Sequence, residues 1–223
     1  MLRRIFDIIT FPFYLVYLFV SFPFYLAKII IEAKIEDQKR TGRNRKKLKN
    51  DELVETGKYL FPDHFSEFET FIHSFLHTKS KFISENKALL LGYDNFEMNK
   101  LKPIDAIYIF GDSRKLFHLT DWRGEENESE TEHFLEETFQ IKSEWKNTNS
   151  LRKGSDEDDQ DEGGFIIDLF KAIDKDLKPL HKRLVFLDLG WDSYVFTIVN
   201  PRSYKILIER FGILVQGTEN LMK

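Results

Sequence analysis

The sequence predicts an α+β domain, with a mixed or antiparallel sheet and flanking helices, preceded by one N-terminal transmembrane or membrane-inserted helix. Residues 8–27 carry no formal charge, later segments place apolar residues at helical spacing, and short apolar runs bounded by turn residues are typical of strands. We therefore divide the chain into a membrane-inserted segment (1–33), a basic juxtamembrane linker (34–50) and a cytoplasmic α+β domain (51–223). The domain is long enough to bury one core.

The membrane-inserted segment is predicted from the uncharged run at residues 8–27, which Asp7 and Lys28 bound. As a helix this run would extend for roughly 30 Å, the thickness of the hydrocarbon core of a bilayer. Pro12 and Pro23 would break a soluble helix, but lipid-embedded helices tolerate such breaks. A core helix apolar on every side needs a larger protein around it, and no small-x-small cleavage site follows the run. We expect it to enter the lipid bilayer, either by spanning it or by bending back to the same side.

The linker is basic, whereas the domain is acidic. Residues 1–50 hold 11 Lys and Arg against 4 Asp and Glu, and residues 51–223 hold 22 against 33. Basic residues beside a membrane segment stay in the cytoplasm and bind anionic lipid headgroups. We therefore predict a location at the cell inner membrane, with the main domain in the cytoplasm. The residues predicted to bind headgroups are Lys39, Arg40, Arg43, Arg45, Lys46, Lys47 and Lys49.

The acidic charge of the domain also bears on its partners. An acidic surface repels the phosphate backbone, so nucleic acid is not the expected partner, and a basic protein suits the surface better. The chain has no cysteine, which fits a reducing compartment. No glycine-rich phosphate-binding motif and no serine nucleophile motif occurs, and we predict no cofactor.

The first half of the domain is predicted to combine a helix with three strands. Residues 61–83 place apolar side chains every three or four positions, as a helix does. The apolar runs 88–93 and 104–110 predict strands. Residues 115–122 predict a third strand, which follows the sequence GDSR, a turn of hairpin length.

The middle of the domain is predicted to hold an amphipathic helix and a loop. Residues 128–147 form the helix, with Ser129 and Glu132 at capping-box spacing. The segment 151–164 is polar and acidic and contains glycine, which predicts a loop, and its acidic part is 154–164.

The last part of the domain is predicted to hold a helix, a hairpin and a further helix. Residues 165–180 have helical spacing, and the apolar runs 183–190 and 193–200 predict the two strands of a hairpin. Asn200–Pro201 supplies an N-cap followed by proline at the first helical position. A short final strand is predicted at 213–215.

Polar residues cluster where the third predicted strand ends. Asp121, Trp122 and Arg123 come just before a helix N-terminus, together with Glu125 and Glu126. In a structural interpretation Trp122 covers the core and the acids solvate the turn or favour the helix dipole. In a functional one the group forms a small polar cleft with an aromatic wall.

A second group lies at the predicted hairpin. Asp188 lies within the predicted apolar strand, between Leu187 and Leu189, Asp192 lies in the turn, and Tyr194 flanks the turn. By strand alternation Asp188 faces solvent, or else it faces Asp121 from a neighbouring strand. In the latter case two carboxylates could hold a divalent cation or act in acid–base chemistry.

Other polar patterns do not match metal sites. His73 and His77 lie four residues apart, but Glu does not follow the first His as a metalloprotease requires. In the acidic loop Asp161 stands where an EF-hand needs glycine. We predict no metal site, and no catalytic residue can be named.

Residues 119–137 and 186–201 resemble a family of uncharacterised bacterial domains. That family pairs a D-W-K/R segment that opens a helix with a strand–turn–strand segment of the form D-x-x-x-D-S-Y. The likeness covers about residues 60–215, implies no activity, and leaves out the membrane segment. Domains of this general kind also occur among bacterial immunity proteins, an analogy of fold alone. The matching residues here are Asp121, Trp122, Arg123, Asp188, Asp192, Ser193 and Tyr194.

These observations favour a membrane-anchored cytoplasmic module that binds a protein or a small ligand, with an immunity-type or regulatory role. Its candidate cleft joins the two groups at Trp122 and Asp192. The alternative is a metal-assisted hydrolase that uses the aspartates of the same cleft.

Overall fold

A four-stranded antiparallel sheet lies between two layers of helices in the computed structural model, which describes residues 48–93, 100–154 and 164–221. By its internal contacts, Leu48–Lys223 forms one unit of the chain. The predicted α+β class, with an antiparallel sheet and flanking helices, is confirmed.

The described residues form helices and strands in the following order. The helices are α1 (Asn50–Leu60), α2 (Phe65–His77), α3 (Lys79–Glu85), α4 (Lys87–Leu90), α5 (Pro103–Asp112), α6 (Glu130–Phe139), α7 (Lys146–Gly154), α8 (Gly164–Leu177) and α9 (Pro201–Phe211). The strands are β1 (His118–Asp121), β2 (Arg183–Leu187), β3 (Ser193–Val199) and β4 (Val215–Gln216). Short 3₁₀ turns occupy Pro62–His64, Lys178–Leu180 and Thr218–Asn220.

The strands lie in the order β1-β3-β2-β4, so β1 and β4 form the edges of the sheet. Thr120 of β1 lies opposite Tyr194 of β3, and Arg183 of β2 lies opposite Val199 of β3. Directly opposed residues project to the same face of an antiparallel pair, and neighbours along a strand project to opposite faces. This register therefore assigns each side chain of the sheet to one face.

The two faces of the sheet bury separate cores. Val185 and Val195 belong to the first core, with α1, α2, α5 and α9, whereas Phe186 and Phe196 belong to the second core, with α6 and α8. In the second core the ring of Phe170, from α8, lies 5.0 Å from the ring of Phe186 and 5.2 Å from that of Phe196. The central strands are therefore covered on both sides, which leaves the edges and strand ends for recognition.

Several predicted elements are confirmed. The helical spacing within 61–83 corresponds to α2 and α3, the segment 165–180 to α8 and its 3₁₀ extension, and the two apolar runs after it to the β2–β3 hairpin. The side chain of Asn200 accepts a hydrogen bond of 2.8 Å from the N–H of Ser203, as an N-cap does. Val215–Gln216 is the predicted final strand, displaced by one or two residues.

The strands predicted at 88–93 and 104–110 are wrong. Residues 88–90 lie in α4 and are followed by a turn, and residues 104–110 lie in α5. A continuous apolar run does not distinguish a buried strand from a buried helix. In α5 the start is fixed by Pro103 at the first position and by Asp105, whose carboxylate accepts a 2.6 Å hydrogen bond from the N–H of Lys102. The GDSR segment therefore ends a helix and does not form a hairpin.

The predicted helix at 128–147 and the loop at 151–164 are wrong in their boundaries. Ser129 has φ 66° and makes no side-chain capping bond, so the predicted capping box does not form. The helix ends at Phe139, and a separate helix, α7, runs from Lys146 to Gly154. Residues 155–163, most of the acidic loop, lie outside the described residues.

The predicted membrane segment and the linker residues 34–47 also lie outside the described residues. Within residues 48–93, 100–154 and 164–221, no helix is both long and apolar enough to cross a bilayer. Of the predicted headgroup-binding residues, Lys49 is described, and it immediately precedes α1.

Candidate functional site

The first group of candidate residues forms a tight turn after β1, which we call the Trp122 turn (121–124). The Oδ1 atom of Asp121 accepts hydrogen bonds from the backbone N–H of Arg123 (2.9 Å) and from its Nε (3.0 Å). These bonds lower the pKa of Asp121 below its ordinary value. Gly124 has φ 141° and donates its N–H to the carbonyl of Asp121. The turn holds Trp122 at the surface, with 39% of the residue exposed.

The second group forms the turn between β2 and β3, which we call the Asp192 turn (188–192). The N–H of Trp122 donates a 3.3 Å hydrogen bond to the carbonyl of Asp192, so the two turns lie side by side. Asp192 is exposed. Trp191 packs against the first core and Tyr194 against the second, so both of these rings help to fix the turn.

The two aspartates of the hydrolase alternative lie on different faces of the sheet. Asp121 lies opposite Ser193 in β3. Asp188 continues β2, because its N–H donates to the carbonyl of Leu214 (2.9 Å), and it is therefore in line with Tyr194. Consecutive residues of β3 project to opposite faces of the sheet. Because β3 lies between β1 and β2, the backbones of the two aspartates are also two strand spacings apart, about 9–10 Å. Among the described residues, no group of three or more His, Asp or Glu side chains could hold a metal ion.

A buried ion triad lies behind the Trp122 turn. Arg152, at the end of α7, donates to Glu125 (2.7 Å) and to both carboxylate oxygens of Glu132 (2.9 and 3.0 Å). The side chains are 13%, 5% and 5% exposed, respectively. Glu125 also accepts a 2.8 Å hydrogen bond from the N–H of Thr131. The triad therefore ties the segment after the turn to α6 and α7.

Polar side chains are buried where β1 packs against α6. The His118 ring stacks on Phe134 at 4.8 Å, and its Nε2 lies 3.4 Å from a carboxylate oxygen of Glu130. Burial lowers the pKa of His118, which favours the neutral imidazole near pH 7. In the described part of the chain, His118 Nε2, Thr120 Oγ1 and Thr131 Oγ1 are buried without a hydrogen-bond partner.

β1 is an edge strand, and among the described residues no strand other than β3 pairs with it. Because Trp122 is bonded to Asp192, the alternation of antiparallel pairing directs the N–H and C=O of Leu119 away from β3. The side chain is also accessible, since 43% of Leu119 is exposed. Leu119 and Trp122 together form an apolar edge, which we call the β1 edge.

The sequence predicts the two turns but not the triad. It predicts a loop at Arg152, which lies 27 residues after Glu125. No local pattern indicated the contact, because long-range ion pairs have no fixed spacing. The polar composition of α7, KNTNSLRKG, gave no apolar period that would predict a helix.

The fold and the turns define a three-layer α+β domain that displays a tryptophan at the edge of its sheet. The chain belongs to the family described as Domain of unknown function (DUF6630), whose model matches residues 59–213. No curated protein and no solved structure matches the chain. Membership of an uncharacterised domain family, expected over residues 60–215, is confirmed.

Proposed function

We propose that the chain is a membrane-anchored cytoplasmic binding module, whose domain binds a basic, extended segment of a partner protein at the β1 edge. The observation that carries the proposal is the exposure of Leu119 and Trp122 beside main-chain groups that are directed away from the sheet. An extended peptide binds such an edge by adding a strand, and exposed aromatic side chains are common anchors.

Charge favours a basic partner. Asp192 is exposed beside Trp122, Glu126 and Glu128 are exposed in the segment that follows the Trp122 turn, and the 173 residues after residue 50 carry more acidic than basic side chains. Charge complementarity accelerates association and orients the partner more than it raises the final affinity. An immunity-type or regulatory protein that binds a basic partner would use this chemistry.

The membrane part of the proposal rests on the sequence. The uncharged residues 8–27 would enter the bilayer, and the basic linker would bind anionic headgroups at the inner membrane and keep the domain in the cytoplasm. The hydrolase alternative is not favoured, because Asp121 and Asp188 project to opposite faces.

Membrane insertion is tested by extraction of the full chain from bacterial membranes. We expect the chain to remain in the membrane pellet after an alkaline carbonate wash, because lipid tails hold residues 8–27. Leu15→Arg combined with Leu18→Arg should release it, since each charge near the bilayer centre costs about 2.5–3.5 kcal/mol on insertion scales. Release of the unaltered chain by carbonate would refute insertion.

Partner binding is tested by photo-crosslinking of the full chain in cells. A photoreactive residue in place of Trp122 should give one discrete product, whose crosslinked peptide is extended and rich in Lys and Arg. The same residue in place of Leu91, which is 60% exposed and lies after α4, is the matched control and should give no such product.

The strand-addition geometry is tested by Leu119→Pro. Proline is tolerated on an edge strand where the N–H faces outward, so we expect the fold to persist while the Trp122 crosslink weakens at least about tenfold. Leu119→Ala keeps the N–H and should retain most of the product. Equal products from both variants, or products of the same kind from positions 91 and 122, would contradict binding at the β1 edge.

A further inference from the structure

A short loop between α8 and β2 displays an apolar residue at a fixed position. This leucine-tipped loop (178–182) contains a 3₁₀ turn with Pro179, and the N–H of His181 donates to the carbonyl of Lys178 (3.0 Å). The N–H of Lys182 donates to the carbonyl of Leu177 (3.2 Å), which closes the turn. Leu180 is 37% exposed at its tip. The loop is therefore ordered by its own backbone bonds and presents Leu180 to the exterior.

Basic side chains surround this leucine. Lys175, Lys178 and His181 are exposed, and Lys182 is half-buried. Arg202 is also exposed and lies at the same end of the sheet, because Arg183, which follows Lys182, is opposite Val199. The end of the domain that carries the loop is thus basic, in contrast to the acidic composition of the domain as a whole.

The nearby acidic residues are engaged by other side chains of the domain. Glu219 is exposed, but it lies 3.7 Å from Arg183 and accepts a hydrogen bond from the hydroxyl of Tyr204. Asp174 is buried and accepts hydrogen bonds from Arg183 Nε (2.9 Å) and from the N–H of Leu184 (3.0 Å). Asp176 is buried and accepts from the start of α7. The guanidinium of Arg183 stacks on the ring of Tyr204 at 3.8 Å, so we do not count Arg183 among the basic residues that face solvent.

Helix-dipole stabilisation accounts for only part of the arrangement. Lysines at the end of α8 are favoured there by the helix dipole, and Lys178 lies 3.7 Å from Asp174. Neither effect explains an exposed leucine at the tip, or Arg202, which lies near the N-terminus of α9, where the dipole disfavours a cation.

We propose that the leucine-tipped loop, with Arg202, is a second membrane contact that docks the domain on anionic phospholipid headgroups. Leu180 enters the headgroup region while the flanking lysines and Arg202 bind lipid phosphates, as basic surfaces with an apolar tip do. This inference rests on the proposed membrane anchoring, because an anchored domain stays within reach of the headgroups. Docking would hold one end of the domain against the membrane.

The test uses the full chain reconstituted into vesicles, with an environment-sensitive dye at a single cysteine. The chain has no cysteine of its own, so Leu180→Cys gives a unique label, and Leu91→Cys is the matched control. In vesicles with about 30% phosphatidylserine, the emission at position 180 should shift to the blue and lose the shift at about 1 M salt, where the Debye length is about 3 Å. Position 91 should not respond, and neither label should respond in pure phosphatidylcholine.

Charge reversal separates docking from a nonspecific response. Lys182→Glu with Arg202→Glu leaves the Lys178–Asp174 contact intact and should abolish the shift at position 180. The near-ultraviolet circular dichroism should stay unchanged, which shows that the fold persists. An equal shift at positions 91 and 180, or no shift at 180 in anionic vesicles, would overturn the proposal.

Two further outcomes assign a failure to its cause. A shift caused by soluble polyglutamate but not by anionic vesicles would identify an acidic protein surface as the ligand and overturn membrane docking. Flotation with vesicles reports insertion of residues 8–27 separately. If the chain floats with the vesicles but the dye at position 180 shows no blue shift, docking alone is refuted. If the chain does not float, the membrane anchor is refuted as well.

Discussion

Replacing Arg152 with methionine should lower the free energy of unfolding by about 3–5 kcal/mol, because two buried carboxylates then lose their shared cation. Glu125 and Glu132 are each 5% exposed, so water cannot easily take its place. Urea denaturation of the fragment 48–223, which contains both cores, measures the change.

Two controls show whether the loss comes from uncompensated charge. Adding Glu125→Gln and Glu132→Gln to the methionine variant should restore much of the stability, because the remaining side chains are neutral. Arg123→Met breaks an exposed pair with Asp121 and should leave the unfolding midpoint unchanged. If the Arg152 variant unfolds at the same urea concentration as the unaltered fragment, the triad does not stabilise the fold as its burial implies.

Replacing Asp176 with alanine should cost about 3 kcal/mol, because the carboxylate caps α7 from another helix. It accepts hydrogen bonds from Asn147 N (3.0 Å), Asn147 Nδ2 (2.6 Å), Thr148 N (3.0 Å) and Thr148 Oγ1 (2.8 Å). Asp176→Asn keeps one acceptor oxygen and should cost less. Denaturation of the same fragment ranks the two variants.

The pH dependence of this effect has a definite sign. Burial alone would raise the pKa of Asp176, but the hydrogen bonds from Asn147 and Thr148 together outweigh it and lower the pKa. The carboxylate therefore adds stability above its unfolded pKa of about 3.9, and this stability is lost as the pH falls through the lower folded value. The difference in the free energy of unfolding between the unaltered fragment and Asp176→Asn should therefore decrease over that acidic range. A difference that stays constant from neutral to strongly acidic pH would show that the charge of Asp176 does not contribute to stability.

The sequence predicts local structure well where the determining contacts are local. Asn200 and Pro201 specify the start of α9 within three residues, and strand spacing with a turn specifies the β2–β3 hairpin. By contrast, α7 begins where the carboxylate of Asp176, 29 residues further along the chain than Asn147, accepts hydrogen bonds from the first turn of the helix. Its own sequence, KNTNSLRKG, contains no apolar period, so the helix could not be predicted from it.

In the candidate site, too, local features can be predicted from the sequence and long-range ones cannot. The sequence predicts that Asp121, Trp122 and Asp192 lie near one another, and in the structure the N–H of Trp122 donates to the carbonyl of Asp192. Which face Asp121 and Asp188 occupy depends on the register of β1 and β2 against β3. A shift of one residue would reverse the face, and the sequence contains no signal for that register.

The sheet order has a consequence for how much of the chain must be kept together. The family match stops at residue 213, yet β4 pairs with β2 beyond that point, and Thr218 and Glu219 reach back to Asp174 and Arg183. Truncation after residue 213 would remove β4 and expose the backbone N–H and C=O groups of β2, an apolar strand in the middle of the sheet. Such bare strands pair with one another, so the shortened domain should self-associate even though every matched residue is present.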